Sequence, residues 1–222
     1  MPSEWLAPAA GLAGVVIGQF GSALKDSYFS KQKANKEAYY LSIVVANELN
    51  EYVNRCLLVA RDDGTDEGRP AGENDCNEIT VTAPTFSPLT LGVDWKCLPT
   101  NLMLEILRIP SLDAKVKNKL SDPYGYDEPP DYREFFWDRR QWYGELGLEV
   151  AQIAKRLRKH SKLKDEVAEL EAEARENELR GVVQQMVDAR KLFEVKGEAR
   201  RQLRLKLEAE RGTGPGAEWP SN

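Results

Sequence analysis

The chain has 222 residues, of which 30% are charged and 41% hydrophobic, and its net charge is −5. This length suffices for one domain with extensions, and the small net charge excludes a protein whose overall field is built for nucleic acid. Three cysteines (Cys56, Cys76 and Cys97) without CxxC spacing and a single histidine, His160, are too sparse for a disulfide framework or a zinc site. We therefore expect free thiols in a reducing compartment, and neither a metal nor a cofactor.

The first distinctive segment, WLAPAAGLAGVVIGQFGSAL (residues 5–24), contains no charged residue. As a helix it would be about 30 Å long, which matches the hydrocarbon core of a bilayer. Each glycine would cost about 1 kcal/mol relative to alanine in a soluble helix. In lipid, glycine is tolerated because only a helix satisfies the hydrogen bonds of the backbone N–H and C=O groups. The sequence predicts a transmembrane anchor within residues 1–24; the alternative is a buried soluble helix or a glycine-rich arm.

The charges around this segment predict its orientation. No Lys or Arg precedes it, and a basic flank follows it: Lys25, Lys31, Lys33 and Lys36. Because basic residues stay on the cytoplasmic side, we expect a single-pass protein of the inner (cytoplasmic) membrane, with its N-terminus outside and its C-terminal domain in the cytoplasm. The absence of a basic n-region and of a clear cleavage site disfavours a cleaved signal peptide.

Small residues recur every four positions along the predicted span, and Gly14 and Gly18 form a GxxxG pair. Such a row allows two helices to pack closely in lipid, which would make the protein a homo-oligomer. The alternative, slightly favoured, is that Gly and Ala are simply common in membrane spans.

Residues 25–160 are predicted to form a helical domain. Its first helix, at 26–60, has an apolar stripe with helical spacing. The stripe consists of Leu41, Val45, Leu49, Tyr52, Cys56 and Val59. An acidic loop at 61–97 follows, whose aspartates lack the spacing of an EF-hand. Within it, EITVTA (78–83) is either a short strand or an extended segment against the helices.

Two short helices are predicted on either side of Pro110, and a long helix at 130–160 follows, with Asp131 as a candidate N-cap. The long helix carries a row of large apolar side chains. They are Phe135, Phe136, Trp137, Trp142, Tyr143, Leu146, Val150, Ile153 and Leu157. Their helical spacing favours a core against the first helix over a ligand pocket. Gly144 and Gly147 are predicted to allow close contact between helices.

Residues 161–211 are predicted to form a charged helical extension, followed by a disordered tail at 212–222. The extension is either a coiled coil or a helix that lies on the core. Its partial heptads consist of Leu163, Val167, Leu170 and Ala174. A weaker second apolar patch around Gly181 consists of Val183, Met186, Val187 and Leu192.

The basic run KRLRKHSKLK (155–164) is the one candidate for contact with nucleic acid or with an anionic lipid surface. The side chains that would make this contact are Lys155, Arg156, Arg158, Lys159, Lys162 and Lys164. Acidic residues follow at once, so pairing within the chain competes, and nucleic acid is disfavoured as a partner.

The sequence contains no GxSxG, P-loop or GxGxxG motif, and Glu48, Asp62 and Asp63 are the only acidic residues that we consider as catalytic candidates. We therefore predict an all-α protein without catalytic activity. It would be a membrane-anchored interaction or scaffold protein that binds another protein or itself. The alternatives are the anionic contact described above and an enzyme of unrecognised type.

Two segments, KEAYYLSIVVANELNEYVNRCLLVARDDGT and PPDYREFFWDRRQWYGELGLE, follow a short Gly-rich apolar N-terminus. Together they resemble a group of uncharacterised bacterial proteins, over roughly residues 10–160. The resemblance implies a bacterial source and a membrane anchor, and it assigns no activity and no catalytic residue.

Overall fold

A computed structural model describes residues 6–120 and 129–212, and the side chains of residues 32–120 and 129–209. Four helices make up most of this part: α1 (Leu6–Arg61), α2 (Thr100–Lys119), α3 (Arg133–Ser161) and α4 (Glu166–Gly212). The only strands in the described chain are a two-residue antiparallel pair, β1 (Thr65–Asp66) and β2 (Arg69–Pro70). The prediction of an all-α fold is confirmed.

No helix in the part of the chain that the structure describes has an apolar stretch long enough to cross a membrane. The side chains of the predicted span at 5–24 lie outside that part. The predicted helix at 26–60 is confirmed, because α1 continues without a break to Arg61. Most of the predicted tail at 212–222 also lies outside the described residues.

The core forms mainly between α1 and α3. The whole predicted stripe of α1 is buried, and so are Phe136, Tyr143, Leu146, Val150, Ile153 and Leu157 of α3. The two helices are antiparallel, since Gly144 lies beside Ala60 whereas the hydroxyl of Ser161 contacts that of Ser42. Burial of each large apolar side chain contributes about 1.5–3 kcal/mol, so this pair of stripes is the main source of stability, as its spacing predicted.

The glycines of α3 allow the helices to approach closely. A Cβ atom on Gly147 would lie 2.9 Å from the Cβ of Cys56 and 3.1 Å from a methyl group of Leu179, and one on Gly144 would lie 2.6 Å from a methyl group of Val183. The predicted role of both glycines is confirmed. The contact with α4 at the same positions was not predicted.

The first part of α4 packs on α3 and α1, with Leu179 and Met186 buried. Of the two alternatives for the extension, residues 166–190 therefore form a helix that lies on the core. Of the predicted heptad positions, Leu163 packs against the core from the turn before α4, whereas Val167 and Leu170 are each 67% exposed. The packed face of α4 instead includes Leu179 and Val183, which meet the two α3 glycines, and the buried Met186. Val183 and Met186 belong to the second predicted patch, whereas Leu179 belongs to neither prediction.

The prediction of two helices around Pro110 is wrong, because this residue lies inside the single helix α2. A proline removes one backbone hydrogen bond from a helix and usually ends it. Here Ile106 and Ile109 before the proline and Asp113 after it are buried. Tertiary packing on both sides of the proline therefore maintains one continuous helix.

The prediction that Asp131 caps α3 is also wrong. The residue before the helix is Tyr132, which has a left-handed backbone conformation with φ of 42° and no capping hydrogen bond from its side chain. The carboxylate of Asp131 accepts a hydrogen bond from Arg133 at 2.9 Å instead.

Candidate functional site

Asp62, one of the acidic candidates, is fully buried at the end of α1 and forms an ion pair with Arg139 of α3, with 2.7 Å between Oδ2 and Nη1. Its carboxylate also accepts backbone hydrogen bonds from Gly64 (3.1 Å), Thr80 (3.1 Å) and Val81 (3.0 Å). The Thr80 hydroxyl donates a further bond at 2.8 Å.

These contacts decide the conformation of the loop and the chemistry of the carboxylate. Of the two alternatives for residues 78–83, the extended segment is confirmed, because its N–H groups donate to Asp62 and not to a strand. Burial opposes the charged form, but the hydrogen bonds from Val81, Thr80 and Gly64 and the charge of Arg139 outweigh it and lower the pKa of Asp62. A carboxylate with all these donors is held as a structural anion and is poorly suited to proton transfer.

A second buried polar cluster, formed by Tyr52, Cys56, Asp113 and Tyr143, lies between α1, α2 and α3, and no member is more than 7% exposed. Lys117 donates to Oδ2 of Asp113 at 2.6 Å, whereas the other carboxylate oxygen and the Tyr52 hydroxyl have no hydrogen-bond partner in the described chain. Burial, reinforced by the charge of Asp113, strongly raises the pKa of the Cys56 thiol. A buried, protonated thiol is a poor nucleophile and a poor metal ligand.

The cysteines do not come together with His160. All three are free thiols, with Cys56 in the core and the other two partly exposed. Among the described residues, no group of His, Cys, Asp or Glu side chains could hold a metal ion.

The basic run lies at the C-terminal end of α3 and in the turn that leads to α4, where a groove of about 510 Å³ separates the two helices. Five of the six basic residues predicted for anionic contact line it: Lys155, Arg158, Lys159, Lys162 and Lys164. The sixth, Arg156, points to α2 and pairs with Glu105 at 2.6 Å. Arg175 of α4 also lines the groove, and the sequence reasoning missed it because it lies outside the run.

The remaining predicted site residues are not brought together. Lys33 is 3.9 Å from Glu37, and both side chains are well exposed, while Lys36 and Glu48 are exposed on α1. Asp63 accepts hydrogen bonds from Thr65 and so shapes the turn before β1. The contacts of Gly14 and Gly18 and the side chains of Lys25 and Lys31 lie outside the part of the chain that the structure describes.

The last part of α4 is the other surface that stands out. From residue 191 to 209 every side chain is exposed, including several large apolar ones. The most exposed are Leu192, Val195, Leu203, Leu205 and Leu207. Sequence reasoning identified only Leu192 of this surface and missed the rest, although the spacing of its apolar residues at three and four positions was readable.

Comparison with models of protein families, with curated proteins and with solved structures found no match for this chain. The resemblance to uncharacterised bacterial proteins therefore stays a prediction. The features that bear on function are the basic groove between α3 and α4 and the exposed last part of α4.

Proposed function

We propose that the protein is a single-pass membrane-anchored interaction protein without catalytic activity, with its N-terminus outside and its helical domain in the cytoplasm. The domain binds an acidic amphipathic helix of a partner protein along the end of α4. The observation that carries this proposal is an exposed apolar stripe on the last part of α4, which touches the bundle through Phe193 against Trp137 of α3 but leaves the side chains of the stripe exposed.

The stripe has helical geometry. At about 100° per residue, one face of α4 is formed by Leu192, Val195, Ala199, Leu203 and Leu207. The four large side chains among them are between 50% and 66% exposed. A contiguous exposed apolar row on a helix is typical of a surface that a partner covers.

The charges beside the stripe favour an acidic partner. Lys196, Arg200 and Lys206 lie on or beside the apolar face, whereas Glu194 and Glu208 lie on the opposite side of the helix, and Arg204 and Glu198 lie at its two edges. A second copy of the helix would bring these basic residues against one another, which disfavours self-pairing here. Acidic residues that flank an apolar row on another helix would instead complement them.

The direction of α4 separates this surface from the proposed anchor. Cys56 and Leu179 both meet Gly147, and Ala60 and Val183 both meet Gly144, so α4 runs parallel to α1. At about 1.5 Å per residue, a stripe that starts at Leu192 would begin roughly 65 Å from Lys25 along this direction. A membrane anchor at residues 1–24 would therefore hold the stripe far out in the cytoplasm, where it is accessible to a partner but not to the same bilayer.

Site-specific photocrosslinking tests this proposal with a matched pair of variants. A crosslinking amino acid at position 199 of the full chain, expressed in cells, should capture a protein through an acidic amphipathic helix. Leu203→Glu should reduce the yield by about tenfold, because burial of one leucine contributes about 1.5–3 kcal/mol. Leu205→Glu is the control, since Leu205 is equally exposed, at 58% against 59%, but lies on the other side of the helix.

Several results would contradict the proposal. Equal loss of capture with both leucine variants would mean that the partner does not bind specifically to the side of α4 that carries the stripe. Crosslinks only to a second copy of the chain, or only to lipid, would replace the acidic helix with a different occupant. Capture of a protein through a segment that is not acidic would reject the charge argument.

A further inference from the structure

The groove between the end of α3 and the start of α4 contains a buried cation that forms no ion pair with the described residues. The Arg158 side chain lines the groove, and the residue is only 9% exposed. Its guanidinium donates to the amide oxygen of Asn50, which is a neutral acceptor, and Arg158 forms no ion pair within the described chain. A buried charge that lacks an opposite charge is unfavourable, so the site favours an additional anion.

The surroundings of Arg158 add positive charge. Burial and the neighbouring charge of Arg175 lower its pKa, and Glu169 and Asp165 only partly offset them. In total, six basic and three acidic residues line the groove. The basic ones are Lys155, Arg158, Lys159, Lys162, Lys164 and Arg175, and the acidic ones are Glu169, Glu173 and Glu176. One of the acidic residues, Glu176, already accepts hydrogen bonds from Gln152 and Arg180, which leaves an excess of positive charge.

The lining between these charges is apolar. It comes from all three helices that meet here and from the turn between α3 and α4. The apolar residues are Val53, Ala151, Ala154, Leu163 and Ala172. A volume of about 510 Å³ is within the usual range for a small-molecule site, and it is too small to enclose a nucleic-acid duplex.

We propose that this groove binds an amphipathic phosphate compound, with its phosphate group at Arg158 and Arg175 and a short apolar portion on the lining. Arginine suits this role because its guanidinium donates two parallel hydrogen bonds to a phosphate. The phosphate can belong to a lipid headgroup or to a free phosphate ester, which share this chemistry. Every residue involved lies between positions 50 and 176, so the inference depends neither on the anchor nor on the stripe of α4.

Isothermal titration calorimetry on the full chain in a neutral detergent tests the inference. The probes are hexyl phosphate, dihexanoyl phosphatidic acid and inorganic phosphate. We expect one hexyl phosphate or phosphatidic acid molecule to bind per chain, at least about tenfold more tightly than inorganic phosphate, because only the first two can use the apolar lining. Tighter binding of phosphatidic acid identifies a lipid headgroup as the source, and tighter binding of hexyl phosphate identifies a free ester.

Arg158 and Arg156 of the same basic run, together with Arg175 of α4, allow a formed site to be distinguished from diffuse surface charge. Arg158→Gln and Arg175→Gln should each weaken hexyl phosphate binding by about tenfold or more, whereas Arg156→Gln should leave it unchanged because Arg156 points to Glu105. Arg175 is only half-buried, so its variant keeps the test valid if Arg158→Gln fails to fold. Equal effects of Arg156→Gln and Arg175→Gln, inorganic phosphate binding as tight as hexyl phosphate binding, or no binding of either organic probe would overturn the inference.

Discussion

Replacement of Asp62 with alanine is expected to lower the free energy of unfolding by about 3–5 kcal/mol, because it leaves the buried Arg139 without its counter-ion. Arg139 is 3% exposed at its side chain, so water cannot replace the lost carboxylate. The N–H groups of Gly64, Thr80 and Val81 would lose their acceptor at the same time. Thermal unfolding of the full chain in detergent, followed by circular dichroism, measures this change.

The matched control for this variant is Asp66→Ala, since Asp66 is exposed in β1; its stability should change by less than about 0.5 kcal/mol. The pH dependence gives a second check. Because the pKa of Asp62 is lowered in the folded protein, its stabilising contribution is complete above its ordinary pKa of about 4 and is lost as the pH falls through the lower folded value. The difference between wild type and Asp62→Ala should therefore narrow at acid pH. A constant difference, or wild-type stability in the variant, would mean that the ion pair does not hold the loop.

The second large effect is expected at Gly147, where the three helices α1, α3 and α4 meet. Gly147→Val would place a branched side chain where even a Cβ atom lies 2.9 Å from Cys56. Overpacking of this kind costs about 1–3 kcal/mol and occasionally more, which exceeds the gain in helix propensity over glycine of less than about 1 kcal/mol. A lower melting temperature in the same assay is the expected result.

Gly181 of α4 provides a control, because substitution there is expected to change the stability in the opposite direction. Nothing lies within 4 Å of a Cβ atom at this position, so Gly181→Ala should raise the stability by about 0.5–1 kcal/mol through helix propensity alone. If Gly147→Val and Gly181→Ala both stabilised the protein, the close approach of the helices at Gly147 would be wrong.

The predictions that succeeded depended on local spacing. The stripe from Leu41 to Val59 and the row from Phe136 to Leu157 each follow helical spacing over several turns, so the sequence alone identifies both buried faces. The predictions that failed depended on tertiary contacts. A proline ends a helix only where packing does not hold both of its sides together, and at Pro110 the packing does hold them. The burial of Leu179 against Gly147 cannot be read from the sequence around either residue.

The candidate sites were predictable to different degrees. The basic run at 155–164 was visible as a cluster of like charges, and five of its six predicted residues do line one groove. Arg158 faces the groove, whereas Arg156 faces α2. This difference depends on how α3 packs against the other helices, which the sequence alone does not show. Asp62 was visible as an acidic residue, but its partner Arg139 lies 77 positions along the chain.

Alkaline carbonate extraction of membranes from cells that express the full chain tests the proposed anchor most directly. We expect the protein to remain in the membrane pellet, while a variant with charged residues in place of Val15 and Val16 is released. Such charges are costly within a bilayer but not in a soluble arm. Release of the unmodified full chain into the supernatant would contradict membrane insertion of residues 5–24, and with it the proposed location of the protein.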